Sequence, residues 1–542
     1  MSLPLARGGR LLAAVIFLIA FIAFSFNLWS ISIGSGWINP VLHTGAQDES
    51  AYTHSAIRMA EQGNWMNPML LGRYVFEKPP LLIWLAAISM RLLGISSLTA
   101  RLPVVLSGAL IASICFAIGR VGRSNLAGVA AALLCLSNPL LFTLSRHNMT
   151  DILLTAAAAV ALGTLIWDPS LARRGPCLTF MLAITAGVLT KSIAGLPPAI
   201  AALLFAGFVT RRPLPQLRRT ALLTVAAVLL ASPWFVYQLL THRQWFLADS
   251  YFQLITVGIE QPTSFQSHIQ FYFLRFLYAA PLTLVLGLTA LPALISGVRR
   301  RDPVKLVLAC FLMVFSAALL SFRFDSETYL APLLPVAILI AAVGSPLLTK
   351  PAAVPVCLVI LIAFVIKVAY FEEPWGLFYK PGSTVPAAQI LSSYCEERRG
   401  NGLYILGVED QFYALALPLA QVRYGWIDPS GKIPTTRSHL SYLGIVQDAA
   451  SHPDTALYAA RLREWGLNSL EPLGTAISAR TIDDLIALVL THPESDFLVS
   501  PVIAMRLGGR QAQETRLSNG ECVLLQSRVS HPMAPARWTC RM

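Results

Sequence analysis

The sequence predicts a mainly α-helical, polytopic membrane protein with a smaller soluble α/β domain at its C-terminal end. Three observations predict it. First, 55% of the 542 residues are hydrophobic and only 13% are charged. A soluble chain of this size needs far more charge to cover its surface. Second, apolar runs of roughly 17 to 25 residues recur, the length that crosses a hydrocarbon core as a helix. Third, charges, glycines and prolines return from Phe371 onward. The chain therefore divides into residues 1–370, in the membrane, and residues 371–542, outside it.

The net charge is +13 and the mean hydropathy is +0.62. The arginines sit in short clusters between apolar runs, which is where cytoplasmic loops carry them. A membrane topology accounts for the charge, and no nucleic-acid partner is expected. No CxxC or Cys/His spacing suggests a structural zinc site. Cys115, Cys135, Cys177, Cys310 and Cys357 lie in or beside apolar runs, as small packing residues.

Taken in order, the first crossing is Leu11–Ile33, a signal anchor retained behind Arg7 and Arg10. A first external loop, residues 34–97, follows. Within it, Glu49–Glu61 forms an amphipathic helix with Tyr52, Ala56, Met59 and Ala60 on one face. Pro80–Leu93 is apolar but too short to cross. Counting it as a crossing puts every later arginine cluster outside, so the positive-inside rule makes it an interfacial helix.

The remaining crossings are Leu98–Ile118, Leu126–Ser145, Ile152–Trp167, Cys177–Thr190, Ile193–Val209, Ala221–Leu240, Phe271–Ile295, Val304–Leu320, Tyr329–Val343 and Val354–Ala369. That makes about eleven spans. Thr241–His268 is a second sizeable external loop. In the C-terminal part, Asn401–Gly407, Ser495–Ser500 and Glu521–Ser527 read as strands. Thr384–Arg399 and Thr481–His492 read as helices. Strands alternating with helices make an α/β domain of roughly 170 residues. Outside the cell a disulfide among Cys395, Cys522 and Cys540 could form.

Polar residues beside so much apolar sequence mark the candidate site. Asp48 and Glu49 open the first loop, and Asp151 sits at the outer mouth of another helix pair. Each has an ordinary reading, as a solvated loop residue or a carboxylate favouring a helix N-terminus. Together, two carboxylates from separate external turns can act as base and cation holder in one cavity. Lys78 and Lys191 are candidate phosphate ligands, with Arg58, Arg73 and Arg275 as further basic residues. The ordinary reading of these is snorkelling or head-group anchoring. Glu77 and His268 could contribute to a metal site, although two ligands are too few to argue from spacing.

The segments Asp48-Glu49-Ser50-Ala51-Tyr52, Gly63-Asn64-Trp65-Met66-Asn67-Pro68, Phe76-Glu77-Lys78-Pro79-Pro80-Leu81 and Arg101-Leu102-Pro103 carry a resemblance. So do Thr150-Asp151, Leu189-Thr190-Lys191, Pro233-Trp234, His268 and Tyr329-Leu330-Ala331-Pro332, in the same order. The pattern, over roughly residues 10–350, is similar to that of GT-C membrane glycosyltransferases. These are the family of the bacterial lipid A aminoarabinose transferase and the protein O-mannosyltransferases.

The resemblance implies a glycosyltransferase of the inner membrane. It would take a sugar from a polyprenyl-phosphate donor to a lipid, glycan or protein acceptor on the periplasmic face. It implies Asp48 as the leading catalytic residue, Glu77 and Lys78 at the active site, and a divalent metal (zinc or magnesium) held by Glu77 and His268. The chain departs from close relatives of the aminoarabinose enzyme at Ala51, where arginine is common. It departs again at Lys191-Ser192-Ile193, where they have Lys-Gly-Pro. These departures bear on the sugar rather than on the reaction class. A lipid flippase is the rival reading, but it favours mid-membrane charges and inverted repeats. A non-catalytic envelope-assembly scaffold is the third.

Overall fold

The computed structural model describes residues 7–28, 45–70, 73–209, 213–243, 246–247, 250, 264–322, 325–349 and 352–370. In the C-terminal part it describes residues 403–406, 426–427, 482–491, 493, 496–499, 501–511, 514–518 and 523–526. Helix Thr384–Arg399 and the cysteines Cys395, Cys522 and Cys540 lie outside the described residues.

The membrane part is helical. Helices α1 (Arg7–Ser25) and α2 (Gly45–Gln62) are followed by a short hairpin, β1 (Met69–Leu70) with β2 (Arg73–Tyr74). Then come α3 (Leu81–Leu93), α4 (Ser97–Gly122), α5 (Asn125–Ser137), α6 (Pro139–Leu144) and α7 (Thr150–Trp167). Helices α8 (Arg174–Lys191), α9 (Pro197–Val209) and α10 (Pro213–Thr241) follow. Helices Phe265–Ala279, Pro281–Arg299, Pro303–Ser321, Leu333–Gly344 and Ala353–Tyr370 complete the membrane part.

Seven of the expected spans are helices long and apolar enough to cross a membrane. The other four correspond to shorter apolar helices: Asn125–Ser137, Pro197–Val209, Leu333–Gly344 and Ala353–Val365. Among the described residues, seven helices are long and apolar enough to cross, and the count of about eleven is not confirmed. Helix α3 spans roughly 20 Å at 1.5 Å per residue, short of a 30 Å hydrocarbon core.

Several expected spans are interrupted, each for an identifiable reason. Leu126–Ser145 breaks at Asn138-Pro139. There the Asn138 side chain accepts from the Leu141 N–H at 2.9 Å and starts α6 afresh. Phe271–Ile295 breaks at Ala280-Pro281, because Pro281 has no N–H to continue the ladder and is suited to open a new helix. Tyr329–Val343 starts late, since Glu327–Leu330 is a 3₁₀ turn and Pro332 precedes the helix at Leu333. The Leu11–Ile33 helix is described only as far as Ser25.

Helix α4 is the hub of the bundle, packing against α1, α3, α5 and α7. Its start is fixed by a capping box between Ser96 and Thr99. Gly119 and Gly128 let α4 and α5 cross at backbone contact; a Cβ on Gly128 would stand 2.6 Å from the Phe116 carbonyl oxygen. The turn after α6 is tied to α1 by Arg146, which is 1% exposed. Its Nη1 donates to the carbonyls of Phe24 at 2.9 Å and Phe26 at 2.8 Å, satisfying the end of α1. That clamp holds the turn that leads into Asp151.

In the C-terminal part, the strands β3 (Leu403–Leu406), β4 (Trp426–Ile427), β5 (Asp496–Val499), β6 (Glu514–Ser518) and β7 (Val523–Gln526) order as β4-β3-β5-β7-β6. β3 pairs parallel with β4 and β5, and the other pairings are antiparallel. Helices Ile482–Thr491 and Pro501–Leu507 contribute Ile486, Val489, Ile503 and Leu507 to a core with Phe497, Val499 and Leu525.

Candidate active site

The site grows from α2. Asp48 lies in its first turn, half-buried, and Glu49 beside it is fully buried. Glu49 meets Arg101 of α4 through two bonds, Nε to Oε1 at 2.7 Å and Nη2 to Oε2 at 3.1 Å. The Asn148 N–H also donates to Glu49 Oε1, at 3.0 Å, and Asn148 Nδ2 donates to Thr53 Oγ1 at 3.0 Å. Burial alone raises a carboxyl pKa, but Arg101, His147 and the Asn148 N–H outweigh it and hold Glu49 at about 2. Glu49, expected as a catalytic residue, is thus placed in the structure as the partner of Arg101. Its carboxylate is spent on locking α2, α4 and the turn before α7 together. His147 stays neutral in that turn, its pKa lowered to about 4 chiefly by burial.

Asp151 and Lys191 meet at the other side of the turn. Lys191 Nζ donates to Asp151 Oδ1 at 2.6 Å and stands 4.5 Å from the centre of the Tyr329 ring. Both residues line a cavity of about 210 Å³, together with Glu77 and Lys78. Lys78 is half-buried; burial lowers its pKa and Lys191 lowers it further, while Glu77, Asp48 and Asp151 work against both. Phe76, Trp234, Phe246, Phe315 and Phe322 also line the cavity. Trp234 is fixed there by a bond from Nε1 to the Met66 carbonyl at 3.0 Å. Tyr52 of α2 bonds to Thr150, and its pKa is pushed well above 10.0 by burial and then by Asp48, Glu77 and Asp151. Asp151 and Glu77 line the cavity, whereas Asp48 is not among its lining residues.

Two expected assignments are not met. Arg58 sits ten residues after Asp48, roughly 15 Å along α2. It acts on His54 and Glu61 and is not among the cavity-lining residues. His268 does not offer a ring nitrogen to Glu77. Its Nδ1 meets Asp325 Oδ1 at 2.5 Å and its Nε2 meets the Leu319 carbonyl at 3.2 Å. Among the described residues no group of three or more His, Cys, Asp or Glu side chains is placed to hold a metal ion. The pair expected from the family resemblance does not fit a metal in this arrangement.

The backbone after Lys191 is unusual. Ser192 caps α8 at φ 49° and ψ −124°, a region that costs a residue with a Cβ on the order of 1–3 kcal/mol. The reason lies in the 3₁₀ turn Ser192–Gly195, which folds back on α8. A Cβ on Gly195 would lie 2.2 Å from the Gly187 carbonyl carbon, so only glycines permit this approach. The glycine contact dictates the turn, and Ser192 accepts the conformation that results.

With this geometry established, the comparisons with known proteins can be read. Residues 77–237 match the family model of dolichyl-phosphate-mannose-protein mannosyltransferase. The undecaprenyl phosphate-alpha-4-amino-4-deoxy-L-arabinose arabinosyl transferase 1 of Sodalis glossinidius is 34% identical over 193 residues, 34% of each chain. The corresponding transferase of Aeromonas hydrophila is 29% identical over 194 residues, 35% of this chain and 36% of the relative. The matched region is about a third of the length of these relatives. The structure of ArnT from Cupriavidus metallidurans bound to undecaprenyl phosphate has a TM-score of 0.68 at 18% identity, over 97% of this chain and 100% of that one. The oligosaccharyltransferase AglB from Archaeoglobus fulgidus has a TM-score of 0.51 at 13% identity, over 91% and 70% of the two chains. Fold and site together define a polytopic membrane protein of the GT-C type. Over about a third of its length the chain is similar to aminoarabinose transferases, and residues 77–237 match the protein mannosyltransferase family model.

Three contributors were not singled out from the sequence. Arg101, Tyr52 and Tyr329 were each noted as part of a motif, Tyr52 also on a helix face and Tyr329 also at a span end, but none was given a role in the site. Arg101 carried a usable signal, because an arginine inside an apolar helix needs a partner. Tyr329 carried none, since its place over Lys191 depends on two helices far apart in the chain.

Proposed function

We propose that this protein transfers a glycosyl group from a polyprenyl-phosphate-linked sugar to an acceptor at the outer face of a bacterial inner membrane. One observation carries the reading. A single cavity is lined both by aromatic residues, among them Phe76, Trp234 and Phe246, and by Glu77, Lys78, Asp151 and Lys191. An apolar lipid tail and an anionic head group need these two environments side by side. The names of the relatives, which specify undecaprenyl phosphate as carrier, support it.

In this reading an acceptor hydroxyl attacks the anomeric carbon as the bond to the phosphate oxygen breaks. The polyprenyl phosphate leaves as an anion, and the acceptor proton passes to the Asp48 carboxylate. Lys78 and Lys191 stabilise the leaving phosphate electrostatically. Asp151 holds Lys191 in place, and no step is routed through a metal. The acceptor-facing loops and residues 371–542 lie on the periplasmic side, with the arginine clusters inside. Residues 371–542 form a separate α/β domain, supported by the five-stranded sheet.

The test is Asp48→Asn in the full chain. Turnover should fall roughly 10²–10⁴-fold, the range for a lost general base, with expression near that of the unaltered protein. Mass spectrometry of envelope glycolipids, glycoproteins and glycans from a deletion strain would name the acceptor. Unchanged turnover in Asp48→Asn would remove the residue from the mechanism.

A further inference from the structure

Ser192 stands where the turn calls for glycine. Its φ is 49°, its neighbours Gly187 and Gly195 impose the conformation, and a glycine at 192 would adopt it without strain. The serine is therefore a burden to the fold unless its side chain does something. Within the fold it does nothing visible. Threonines and serines on the helices nearby donate to the carbonyl one turn back, as Thr155 does to Asp151, Thr185 to Met181 and Thr190 to Ala186. The Ser192 hydroxyl makes no such bond among the described residues. It is half-buried and lines the cavity beside Lys191 and Lys78.

Taken together, these observations locate a hydroxyl donor in the same cavity as the Lys191 and Lys78 ammonium groups, on backbone that would favour glycine at this position. We propose that Ser192 is a binding residue whose Oγ–H donates to a phosphate oxygen of the lipid-phosphate donor. The proposal rests on the transferase reading given above. The surroundings favour phosphate over sugar. Lys191 is already paired with Asp151 at 2.6 Å, so its charge toward an incoming anion is partly offset. A neutral donor alongside supplies a directed bond that a shared ammonium does not. The bond would also fix the head group against the end of α8.

Strain and hydroxyl can be separated by two variants. Ser192→Gly removes both. Ser192→Ala removes the hydroxyl and keeps a Cβ at positive φ. Binding of undecaprenyl phosphate to the full-length protein in lipid nanodiscs is the readout, with thermal stability measured beside it. Both variants should weaken binding by about tenfold, the loss of one hydrogen bond to a charged group. Stability should part them: Gly should raise the melting temperature while Ala should not. Ser192→Thr, which keeps a hydroxyl, should retain more affinity than Ala. Unchanged affinity in both Gly and Ala overturns the proposal. So does affinity that follows stability, with Gly at or above the serine protein and Ala below it. If the unaltered protein binds no undecaprenyl phosphate at all, the transferase reading fails instead, and the two failures are told apart.

Discussion

Two acid–base pairs in this molecule sit in opposite surroundings. Glu49 and Arg101 expose 0% of either side chain. Lys191 and Asp151 expose 12% and 4%, at the wall of a cavity. The first pair is closed: both carboxylate oxygens and the Asn148 N–H are engaged, so nothing is left for a ligand. The second is open: Lys191 has one short bond and an aromatic face, and its ammonium can still reach into the cavity. Sequence adjacency does not distinguish Asp48 from Glu49. Burial does: Glu49 is fully buried against Arg101, whereas Asp48 is half-buried.

The largest effect is expected at the closed pair. Arg101→Met leaves Glu49 buried without its cation, which typically costs about 3–5 kcal/mol. Most of the protein should then fail to accumulate in the membrane. Quantifying folded protein by thermal unfolding in detergent checks it. A folded, stable Arg101→Met protein would show that the pair is not the clamp described.

The same pair sets an acid limit. The Glu49 pKa falls from 4.5 in the unfolded chain to about 2 in the folded one. A depressed carboxylate contributes stability that is fully present above the unfolded value and is lost as pH falls through the folded value. Stability should therefore decline between pH 4.5 and about 2. A melting curve flat across that window would contradict the shift.

Removing the open pair's cation should spare the fold and damage the chemistry. Lys191→Met should accumulate normally, because water in the cavity can solvate Asp151. If it stabilises the leaving phosphate, kcat/KM should drop roughly a hundredfold, equivalent to about 2.7 kcal/mol of transition-state stabilisation. Part of the loss should lie in kcat, since leaving-group charge grows as the bond breaks. Steady-state kinetics per folded molecule decide it, and normal kcat with raised KM would assign Lys191 to ground-state binding alone.

How much of this was legible beforehand follows the same division. Asp48, Lys78, Asp151 and Lys191 stood out because charges are scarce in an apolar chain, and three of them do line one cavity. The helices were legible from apolar runs, and their breaks at Pro139, Pro281 and Pro332 were written in the sequence but outvoted by hydrophobicity. The pairing of Glu49 was not legible because Arg101 lies 52 positions away, beyond any local pattern. His268 was expected to face Glu77, whereas Asp325, reached only through the packing of two later helices, takes its Nδ1. Long-range pairing of that kind depends on which helices touch.

The smallest effect comes from removing both members of each pair, and it separates the two regions most sharply. A buried ion pair gains its Coulomb energy only after both ions are stripped of water, so replacing both by neutral groups of similar size is often close to neutral. Glu49→Gln with Arg101→Met should therefore recover much of the stability that Arg101→Met alone loses. Asp48 would keep its place on α2, and activity should return in proportion to folded protein. Asp151→Asn with Lys191→Met is different. It should change stability within about 0.5 kcal/mol, as substitutions with access to water usually do, and leave transfer as low as Lys191→Met alone. The reasoning is that the closed pair matters through the charge it leaves unbalanced, whereas the open pair matters through the charge it presents. Double-mutant cycles in both quantities measure this directly. Activity that stays lost in the Glu49/Arg101 double variant, although it folds, would mean that the closed pair also tunes the site electrically and is not a clamp alone.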